Sequence, residues 1–418
     1  MNPKIGIPID VKRLCKRIEH LGRMGRTPEG GVTRPGFSIK ESQARNRVRK
    51  WMAEAGLETR LDAALNLIGT LWGKERDAPV IMAGSHLDSV PNGGKFDGVL
   101  GVLGAIEAVR SLVVSKIQNR RTIEVIAFAA EEPNIFGFST FGSRAMSGSL
   151  PEGALERRDP KGRLLAELLS QRGGKPWEIA SARIDPSHVA AFVELHIEQG
   201  SLLDIEKIPI GIVSTLCGIQ RLLIDIQGRP DHAGTTPMNI RKDALVVGAE
   251  IVLAIEAICK SRGEGIVGTV GKIILAPNQV NVIPGRAQLE VDLRANDHEI
   301  FNRIYTEILE ACKIVGKKRG LEISLNRLSA EPPAPLPEDL SRIIAEVCQA
   351  FHLSYLIIPS WAGHDANHMA KITRTAVIFV PSRQGLSHCP QEWTDEKEIE
   401  TGVRVLSETL LRLANEDT

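Results

Sequence analysis

The first half of the chain alternates short apolar runs with amphipathic segments. The runs at 78–85, 122–132 and 189–200 are mostly apolar and short enough to form buried strands. Between the first two, residues 98–114 carry apolar side chains at spacings of three and four, which predicts a helix. Buried strands that alternate with helices are typical of a doubly wound, mostly parallel sheet. We therefore predict an α/β fold for this half.

The pattern changes in the middle of the chain. Residues 221–229 alternate between apolar and polar side chains, and 265–275 and 286–295 are further predicted strands. Long helices are predicted at 241–262 and 299–320. Alternation of this kind indicates a sheet with one exposed face, so we expect a compact α+β unit here.

Beyond this unit the first pattern returns. The proline-rich segment 330–340 is typical of a linker, and a helix, a strand and a terminal helix follow it. The simplest arrangement is one α/β domain formed by residues 1–212 and 329–418, interrupted by an inserted α+β domain at 213–328.

Composition excludes several classes of protein. The 418 residues include 52 Lys plus Arg against 51 Asp plus Glu, so no net field favours nucleic acid or an anionic membrane. No apolar run reaches the ~18 residues of a membrane helix, and the first residues lack a signal-peptide core. Six scattered cysteines without a CxxC pair indicate reduced thiols. We expect a cytoplasmic protein with no nucleic-acid or membrane partner.

Five short segments, far apart in the chain, carry side chains that bind metal ions. They are GSHLDSVPNGGKFDG, AFAAEEPN, FVELHIEQG, GRPDHAGTTPM and GLSHCPQEW. The candidate ligands in them are His86, Asp97, Glu132, His196 and His388. A mixed imidazole and carboxylate set suits zinc, manganese, cobalt or nickel. One such segment would mean little, but together they predict a two-metal hydrolase.

The first of these segments follows a predicted strand directly. In open α/β sheets, ligands gather at the carboxyl ends of the strands, where His86 would lie. Asp88 could hold the second ring nitrogen of His86. Asp97 is flanked by glycines that let a loop bring its carboxylate close to a metal. Each residue also fits a simple turn-forming role at a strand end.

Two adjacent carboxylates, Glu131 and Glu132, end the second apolar run. Carboxylates buried at a strand end are costly without a cation to compensate them. We expect Glu132 to bind metal and Glu131 to take a proton from the attacking water. The alternative is an exposed helix that begins at Glu131, with acidic residues at its positive end.

The three other candidate histidines lie in different predicted domains. His196 alternates with apolar neighbours in a predicted strand, and His388 lies in a loop after another. The pair His388–Cys389 could instead indicate a thiol nucleophile, but no strand-to-helix elbow or partner triad supports it. His232 belongs to the inserted domain, so polarising the scissile carbonyl suits it better than metal binding. Arg294 ends a predicted strand and could bind a substrate carboxylate through two hydrogen bonds; a surface arginine is the alternative.

With these residues in view, the chain resembles the amidase, hydantoinase and carbamoylase branch of the M20 family of metal-dependent hydrolases. The likeness runs nearly end to end, with the motifs GSHLDSV, GGKFDG, ELHIEQG, HAGTTPM and AGHDA. The resemblance implies two divalent ions per subunit, zinc or manganese, with cobalt or nickel also accepted. It implies that His86, Asp97 and His196 hold one ion. Asp97, Glu132 and His388 would hold the other, which makes Asp97 the bridge and leaves Glu131 as the general base.

The resemblance also implies residues that contact the substrate. They are Gln199, Arg294, Gly363 and His364, together with His232 and Asn281 from the inserted domain of the partner subunit. The protein would then be a homodimer whose inserted domain serves as both lid and dimer interface, and closure would assemble the site.

The implied reaction is hydrolysis of the carbamoyl C–N bond of an N-carbamoyl-L-amino acid, with release of ammonia, carbon dioxide and the amino acid. Allantoate hydrolysis is the first alternative, followed by β-ureidopropionase or M20-type peptidase activity. A non-catalytic metal-binding relative is the alternative of another class. Two departures from the family pattern bear on the substrate: Trp361 stands where a small residue is usual, and Pro133–Phe136 replaces the expected glycine- and arginine-containing sequence.

Overall fold

The computed structural model describes residues 7–416; the outermost parts of the predicted α/β domain, residues 1–6 and 417–418, lie outside the described residues. The chain forms two compact units. The smaller comprises Thr215–Pro335 and Pro359–Gly363, and the larger comprises the rest of the described chain. Among residues 7–416, no helix combines the length and apolar character that a membrane span requires.

Strands and helices are numbered by their order in the chain. The strands are β1 (Glu58–Leu61), β2 (Leu67–Leu71), β3 (Val80–His86), β4 (Ile123–Phe128), β5 (Val189–Ile197), β6 (Ile210–Leu216), β7 (Gly218–Gln227), β8 (Ile266–Ala276), β9 (Arg286–Ala295), β10 (Glu322–Glu331), β11 (Ala334–Pro335), β12 (Tyr355–Ser360) and β13 (Arg374–Val380). The α-helices are α1 (Val11–Arg23), α2 (Ile39–Glu54), α3 (Val99–Val114), α4 (Phe141–Ser147), α5 (Leu165–Gln171), α6 (Leu202–Glu206), α7 (Ala244–Ser261), α8 (His298–Arg319), α9 (Glu338–Ala350), α10 (Ala366–Met369) and α11 (Glu396–Asn415).

The larger unit is built on a mixed sheet. Its strand order is β1-β2-β4-β3-β5-β13-β6, and β12 also pairs with β6. The two-residue β11 continues this order beside Thr215 and Leu216 of β6, which like β11 fall in the smaller unit. The four central strands, β4, β3, β5 and β13, are parallel. The flanking pairs are antiparallel. The predicted α/β class, with a parallel centre, is therefore confirmed.

Alternation along the central strands divides their side chains between two layers. Leu195 and Ile197 of β5 are fully buried in the main apolar core, to which α3 and α11 also contribute. Helix α3 is buried over most of its surface, because it packs against both the sheet and α11. Since successive strand residues point to opposite faces, Glu194 and His196 lie on the other face, where α10 packs. This second layer therefore contains buried polar side chains, in contrast to the apolar core on the first face.

The smaller unit is a four-stranded antiparallel sheet, in the order β10-β7-β9-β8, with a core shared by α7 and α8. Buried residues alternate with more exposed ones along β9, as the sequence pattern predicts for a sheet with one covered face. Asp243 and Asp297 cap the two helices by accepting backbone N–H groups of the first turn.

The limits of this unit differ from the segment 213–328 chosen on sequence. Strand β10 continues to Glu331, past an irregular register between Arg327 and Ser329. Residues Pro359–Gly363 also belong to the unit, because the Cys217 N–H donates to the Ser360 carbonyl at 2.9 Å. This return of the chain depends on contacts between segments far apart in sequence, so it leaves no periodic pattern of apolar residues.

Candidate metal centre

Four parallel strands bring the predicted ligands to one edge of the sheet. His86 is the last residue of β3, and His196 is the penultimate residue of β5. The pair Glu131–Glu132 follows β4 after a short irregular segment, and His388 lies in the loop after β13. Because carboxyl ends of neighbouring parallel strands meet at the same edge, residues distant in sequence converge there.

Three groups of described residues place potential ligand atoms within 4.8 Å of one another. The groups are His86, Asp97 and His196; Asp97, Glu132 and His388; and Glu194, His196 and His364. The first two contain all five predicted metal ligands and share Asp97. The third adds His364, which the resemblance places in contact with substrate, and Glu194, which was not predicted as a site residue and lies on the same side of β5 as His196.

The two carboxylate oxygens of Asp97 face different partners. Oδ1 lies 3.4 Å from Nε2 of His86 and 3.2 Å from Nε2 of His196. Oδ2 lies 3.1 Å from Nε2 of His388, whose Nε2 is also 3.6 Å from Oε1 of Glu132. A carboxylate arranged in this way can contribute one oxygen to each of two adjacent ions.

The two buried histidines present the same nitrogen to Asp97. Nδ1 of His196 lies 2.9 Å from the Ile197 carbonyl, and Nδ1 of His86 lies 3.1 Å from the Asp88 carbonyl. A carbonyl only accepts hydrogen bonds, so each Nδ1 carries a proton and each Nε2 is the ring nitrogen directed at Asp97. Histidines that bind metals are commonly oriented by such a bond from the second ring nitrogen.

The carboxylates of the site are buried and need a positive partner. Glu131 and Glu132 are 7% and 5% exposed. Burial raises the pKa of Glu131 well above its usual range, and the Glu132 carboxylate raises it further. Burial, followed by the charge of Asp97, raises the pKa of Glu132 to about 7. Burial opposes ionisation of Asp97 too, but hydrogen bonds from the three histidines hold its pKa well below the usual range. Such a cluster fits divalent cations, which compensate buried carboxylates.

The alternative of an exposed helix at Glu131 is wrong. Residues 131–140 are irregular, the next helix begins at Phe141, and both glutamates are buried. Oε2 of Glu131 lies 3.7 Å from Nε2 of His86, so this carboxylate stands directly beside the first ligand group.

Asp88 acts on the glutamate pair more directly than on His86. Its Oδ1 and Oδ2 accept the backbone N–H groups of Glu131 and Glu132 at 3.1 and 3.0 Å. Its carboxylate is 3.5 Å from Nδ1 of His86, farther than its own carbonyl oxygen. The expected link to the His86 ring is thus made mainly by the backbone, and the side chain holds the segment that carries Glu131.

Two residues without a sequence signal extend this support. Oδ1 of Asn66 accepts the Ala129 N–H at 3.0 Å, and Oε1 of Glu41 accepts the Ala130 N–H at 3.3 Å. On the other side, the carbonyls of residues 129–131 accept N–H groups of residues 140–142. The segment is therefore hydrogen-bonded on both sides, which fixes the directions of the two glutamates. Asn66 and Glu41 lie in segments that carry no recognisable chemistry, so no pattern could identify them.

Close packing behind His86 requires a glycine. Gly98, which precedes α3, has a φ of 65°, and a Cβ there would lie 2.4 Å from Nε2 of His86. Only glycine combines this left-handed backbone with room for the imidazole.

Gln199 lies beside the bridging carboxylate. Its Nε2 donates to Oδ2 of Asp97 at 2.8 Å and lies 3.4 Å from Nε2 of His388. The ring of His364 packs edge-on against that of His196, with centroids 4.7 Å apart. The structure thus brings both of these predicted substrate residues next to the predicted metal ligands.

The other predicted substrate residues belong to the smaller unit. Nδ1 of the exposed His232 accepts N–H groups of Gly234 and Thr235 at 3.0 and 3.2 Å, so the proton is on Nε2. The Ala233 N–H donates to the Asn281 carbonyl at 3.0 Å, which places His232 and Asn281 on adjacent chain segments. Gly363 lies against Ile219, to whose Cδ1 an added Cβ would be 3.5 Å distant.

Arg294 is held in place within the same unit. Its Nε and Nη2 donate to Asp292 at 2.8 and 3.4 Å, and its Nη1 donates to the Trp361 carbonyl at 2.6 Å. The guanidinium is therefore fixed, and each terminal nitrogen has a second N–H beyond these bonds.

Comparison with known proteins identifies the family to which this chain belongs. The model of peptidase family M20/M25/M40 matches residues 82–412. The chain is 39% identical to an N-carbamoyl-L-amino acid amidohydrolase of Geobacillus stearothermophilus, covering 97% of this chain and 99% of the relative. It is 35% identical to an allantoate amidohydrolase of Bacillus subtilis, covering 95% and 96%.

A solved structure extends the similarity to the fold. An amidase of the hydantoinase/carbamoylase family from Burkholderia multivorans aligns over 100% of both chains, with a TM-score of 0.88 and 32% identity. The resemblance noted on sequence is confirmed: this chain belongs to the M20/M25/M40 peptidase family and is similar to that family's hydantoinase and carbamoylase amidases.

Proposed function

We propose that this chain is a two-metal amidohydrolase that cleaves the carbamoyl C–N bond of an N-carbamoyl-L-amino acid, releasing ammonia, carbon dioxide and the amino acid. The observation that carries the proposal is the position of Asp97, whose two oxygens face separate ligand groups. The similarity to an N-carbamoyl-L-amino acid amidohydrolase over nearly the whole chain supports the substrate class.

In this proposal one ion is held by His86, Asp97 and His196, and the other by Asp97, Glu132 and His388. Bound there, divalent ions act as Lewis acids on the ureido carbonyl and make water more acidic. Zinc, manganese, cobalt and nickel all accept imidazole and carboxylate ligands, so the donor set suits each of them.

Glu131 is the proposed general base. It takes a proton from the attacking water and returns it to the nitrogen that leaves as ammonia. The carbamate that remains on the amino nitrogen then loses carbon dioxide to give the amino acid. A base works best when its pKa lies near the working pH, and burial moves the pKa of Glu131 in that direction. The hydrogen bond from its N–H to Asp88 keeps the carboxylate in a defined direction.

His232, delivered by the smaller unit of a second copy of the chain, is proposed to polarise the carbonyl that is attacked. Its Nε2–H can donate to a carbonyl oxygen, because both backbone bonds use Nδ1. Asn281 would add an amide donor from the neighbouring segment. Gln199, Gly363 and His364 would complete the contacts to the substrate.

Arg294 is proposed to bind the substrate carboxylate. A guanidinium that is already fixed by Asp292 and Trp361 loses little freedom on binding, and its remaining N–H groups form a fork that matches a carboxylate. Because the Trp361 carbonyl contacts Arg294, the bulky Trp361 lies beside the proposed carboxylate site. We expect Trp361 to influence which side chains are accepted.

The protein is proposed to act as a homodimer through its smaller unit. Strand β8 is an edge strand with exposed Val267, Ile273 and Ile274 and a single charged residue, Lys272. The helix α7, which packs on β8, adds exposed apolar residues such as Leu253. Unprotected apolar edges are templates for pairing, and a second copy of the same edge is the occupant that we propose.

Allantoate hydrolysis is the second candidate. It is favoured by the similarity to an allantoate amidohydrolase over almost the whole chain. Allantoate carries both ureido groups and a carboxylate, so the same metal ligands and the same arginine would serve it. β-Ureidopropionase and peptidase activity rank below it, and a non-catalytic metal-binding protein is the remaining alternative.

A panel of substrates tests the proposal. Metal-stripped protein would be reloaded separately with manganese, cobalt, nickel and zinc, and ammonia release measured with N-carbamoyl-L-amino acids, allantoate and N-carbamoyl-β-alanine. A dipeptide, assayed by amine release, serves as the peptidase control, and stripped protein as the blank. We expect N-carbamoyl-L-amino acids to be hydrolysed only by reloaded protein. Turnover of allantoate or the dipeptide alone would replace the proposed substrate, and no turnover at all would favour the non-catalytic alternative.

A further inference from the structure

One buried carboxylate beside the proposed metal ligands has no role in the proposed reaction. Glu392 is 3% exposed. Its Oε1 accepts the backbone N–H groups of Phe96 and Asp97 at 2.8 and 3.2 Å. Its Oε2 accepts the hydroxyl of Ser387 at 2.9 Å. Glu392 therefore joins two loops that are far apart in the chain.

Both loops carry proposed metal ligands. The first ends at Asp97, and the second contains His388, directly after Ser387. Oγ of Ser387 also lies 3.3 Å from Oδ2 of Asp97, the oxygen that faces His388. A movement of Glu392 would therefore shift the backbone of one ligand and the surroundings of the other.

The first loop is shaped around this carboxylate. A Cβ at Gly94 would lie 1.9 Å from Oε1, 2.0 Å from Cδ and 2.4 Å from Oε2 of Glu392. All of its nearest atoms belong to Glu392, so the absence of a side chain at position 94 serves this contact in particular.

We propose that Glu392 is a positioning residue that fixes Asp97 between the two ligand groups. Hydrogen bonds from N–H groups to a buried carboxylate are charge-assisted, so they hold the Asp97 backbone firmly. The inference rests on the proposed function only in that Asp97 is taken as the bridging ligand; it requires no particular substrate.

Metal affinity tests the inference without an assay of activity. Dissociation constants for manganese and zinc would be measured by competition with a chelator for wild type, Glu392→Ala, Glu392→Gln and the exposed control Glu396→Gln. We expect Glu392→Ala to weaken binding about 10- to 100-fold, the usual effect of losing a residue that orients metal ligands. Glu392→Gln keeps an acceptor for the two N–H groups and should recover most of that loss. Equal affinity of Glu392→Ala and wild type would overturn the proposal.

A double-mutant cycle with Gly94 separates positioning from general destabilisation. Gly94→Ala displaces the Glu392 carboxylate, so it should weaken metal binding much as Glu392→Ala does. In the Glu392→Ala background the same change meets no carboxylate and should cost little more. Additive losses, or a Gly94→Ala protein with wild-type affinity, would contradict the proposal. Tight metal binding by a wild type that hydrolyses no ureido compound would instead refute the proposed function and leave this inference standing.

Discussion

At the scale of single residues, Arg294 is the group that we propose binds the substrate carboxylate. Its Nε and Nη2 are bound to Asp292 and its Nη1 to the Trp361 carbonyl, so its planar fork is fixed before substrate binds. Lysine keeps the charge but cannot form two parallel hydrogen bonds.

Arg294→Lys should raise KM for N-carbamoyl-L-amino acids about 10-fold or more, since charge-assisted bonds are worth ~1.5–3 kcal/mol. The matched control is Arg286→Lys on the same strand, where the arginine also pairs with an aspartate, Asp225. Steady-state kinetics would measure both variants. An unchanged KM in Arg294→Lys would show that the substrate carboxylate is bound elsewhere.

His368 is a buried histidine to which the sequence assigns no role. Its Nε2 lies 2.8 Å from Oγ1 of Thr140, and its Nδ1 lies 3.2 Å from Oγ of Ser149 and 3.3 Å from Nζ of Lys371. Because an ammonium only donates, Nδ1 is the acceptor and the ring is neutral. Burial lowers the pKa of His368 well below its usual value, and the charges of Arg144 and Lys371 lower it further.

Stability should therefore fall with acidification through His368. The unfolded chain binds a proton at His368 near pH 6.5, whereas the folded chain does not. The contribution of His368 to the free energy of unfolding is therefore fully present above pH 6.5, and it falls by ~1.4 kcal/mol for each pH unit below. Urea unfolding of wild type and His368→Gln at pH 7.5, 6.5 and 5.5 measures the difference. The variant should lose less stability on acidification. Parallel pH profiles would mean that His368 does not titrate in this way.

At the scale of elements, the carboxyl ends of the parallel strands determine where the candidate site lies. The ends of β3, β4, β5 and β13 could be located from apolar runs, so the convergence of His86, His196 and the glutamates could be predicted. The support of Glu131 by Asn66 and Glu41 could not, because it depends on how distant loops pack. The segment around α3 shows the same limit. Periodicity predicts the helix, but the close contact between His86 and Gly98, which precedes the helix, depends on tertiary packing.

Gly98→Ala should damage the metal site beyond its effect on the backbone. The new Cβ would collide with the His86 ring, so we expect metal affinity to fall about 10-fold or more. Gly173→Ala is the matched control, because Gly173 also has a positive φ, 93°, but has no atom within 4 Å of an added Cβ. Both changes should cost ~1–2 kcal/mol of stability through the backbone.

Chelator competition and urea unfolding would separate the two effects. Equal metal affinity in Gly98→Ala and Gly173→Ala would show that His86 tolerates the added methyl group, contrary to the proposed ligand geometry.

At the scale of the whole molecule, the two-unit organisation follows from a change of pattern in the sequence. Runs without alternation predict the buried central strands, and alternating strands with two long helices predict the smaller unit. The return of Pro359–Gly363 to that unit depends on contacts that only the folded chain makes. Trp361 lies in this returning segment, so its contact with Arg294 could not be predicted either.

The proposed dimer is tested at the edge strand. Ile273 is 49% exposed on β8, and Ile273→Lys would place a charge at the proposed interface. We expect this variant to sediment as a monomer at concentrations where wild type is a dimer. Val114→Lys, at an exposed apolar position of α3 in the larger unit, should not change the mass. A wild type that is monomeric, or an Ile273→Lys protein that remains dimeric, would contradict the proposed interface.

The most direct test of the central claim is ammonia release by Glu131→Gln compared with wild type. Both proteins would carry the same measured metal content and act on the N-carbamoyl-L-amino acid that wild type hydrolyses best. Glutamine preserves the shape and cannot accept the proton, so we predict a kcat at least about 10²-fold lower with little change in metal binding. Activity close to wild type in a fully loaded Glu131→Gln protein would show that another group accepts the proton, and the proposed mechanism would be wrong.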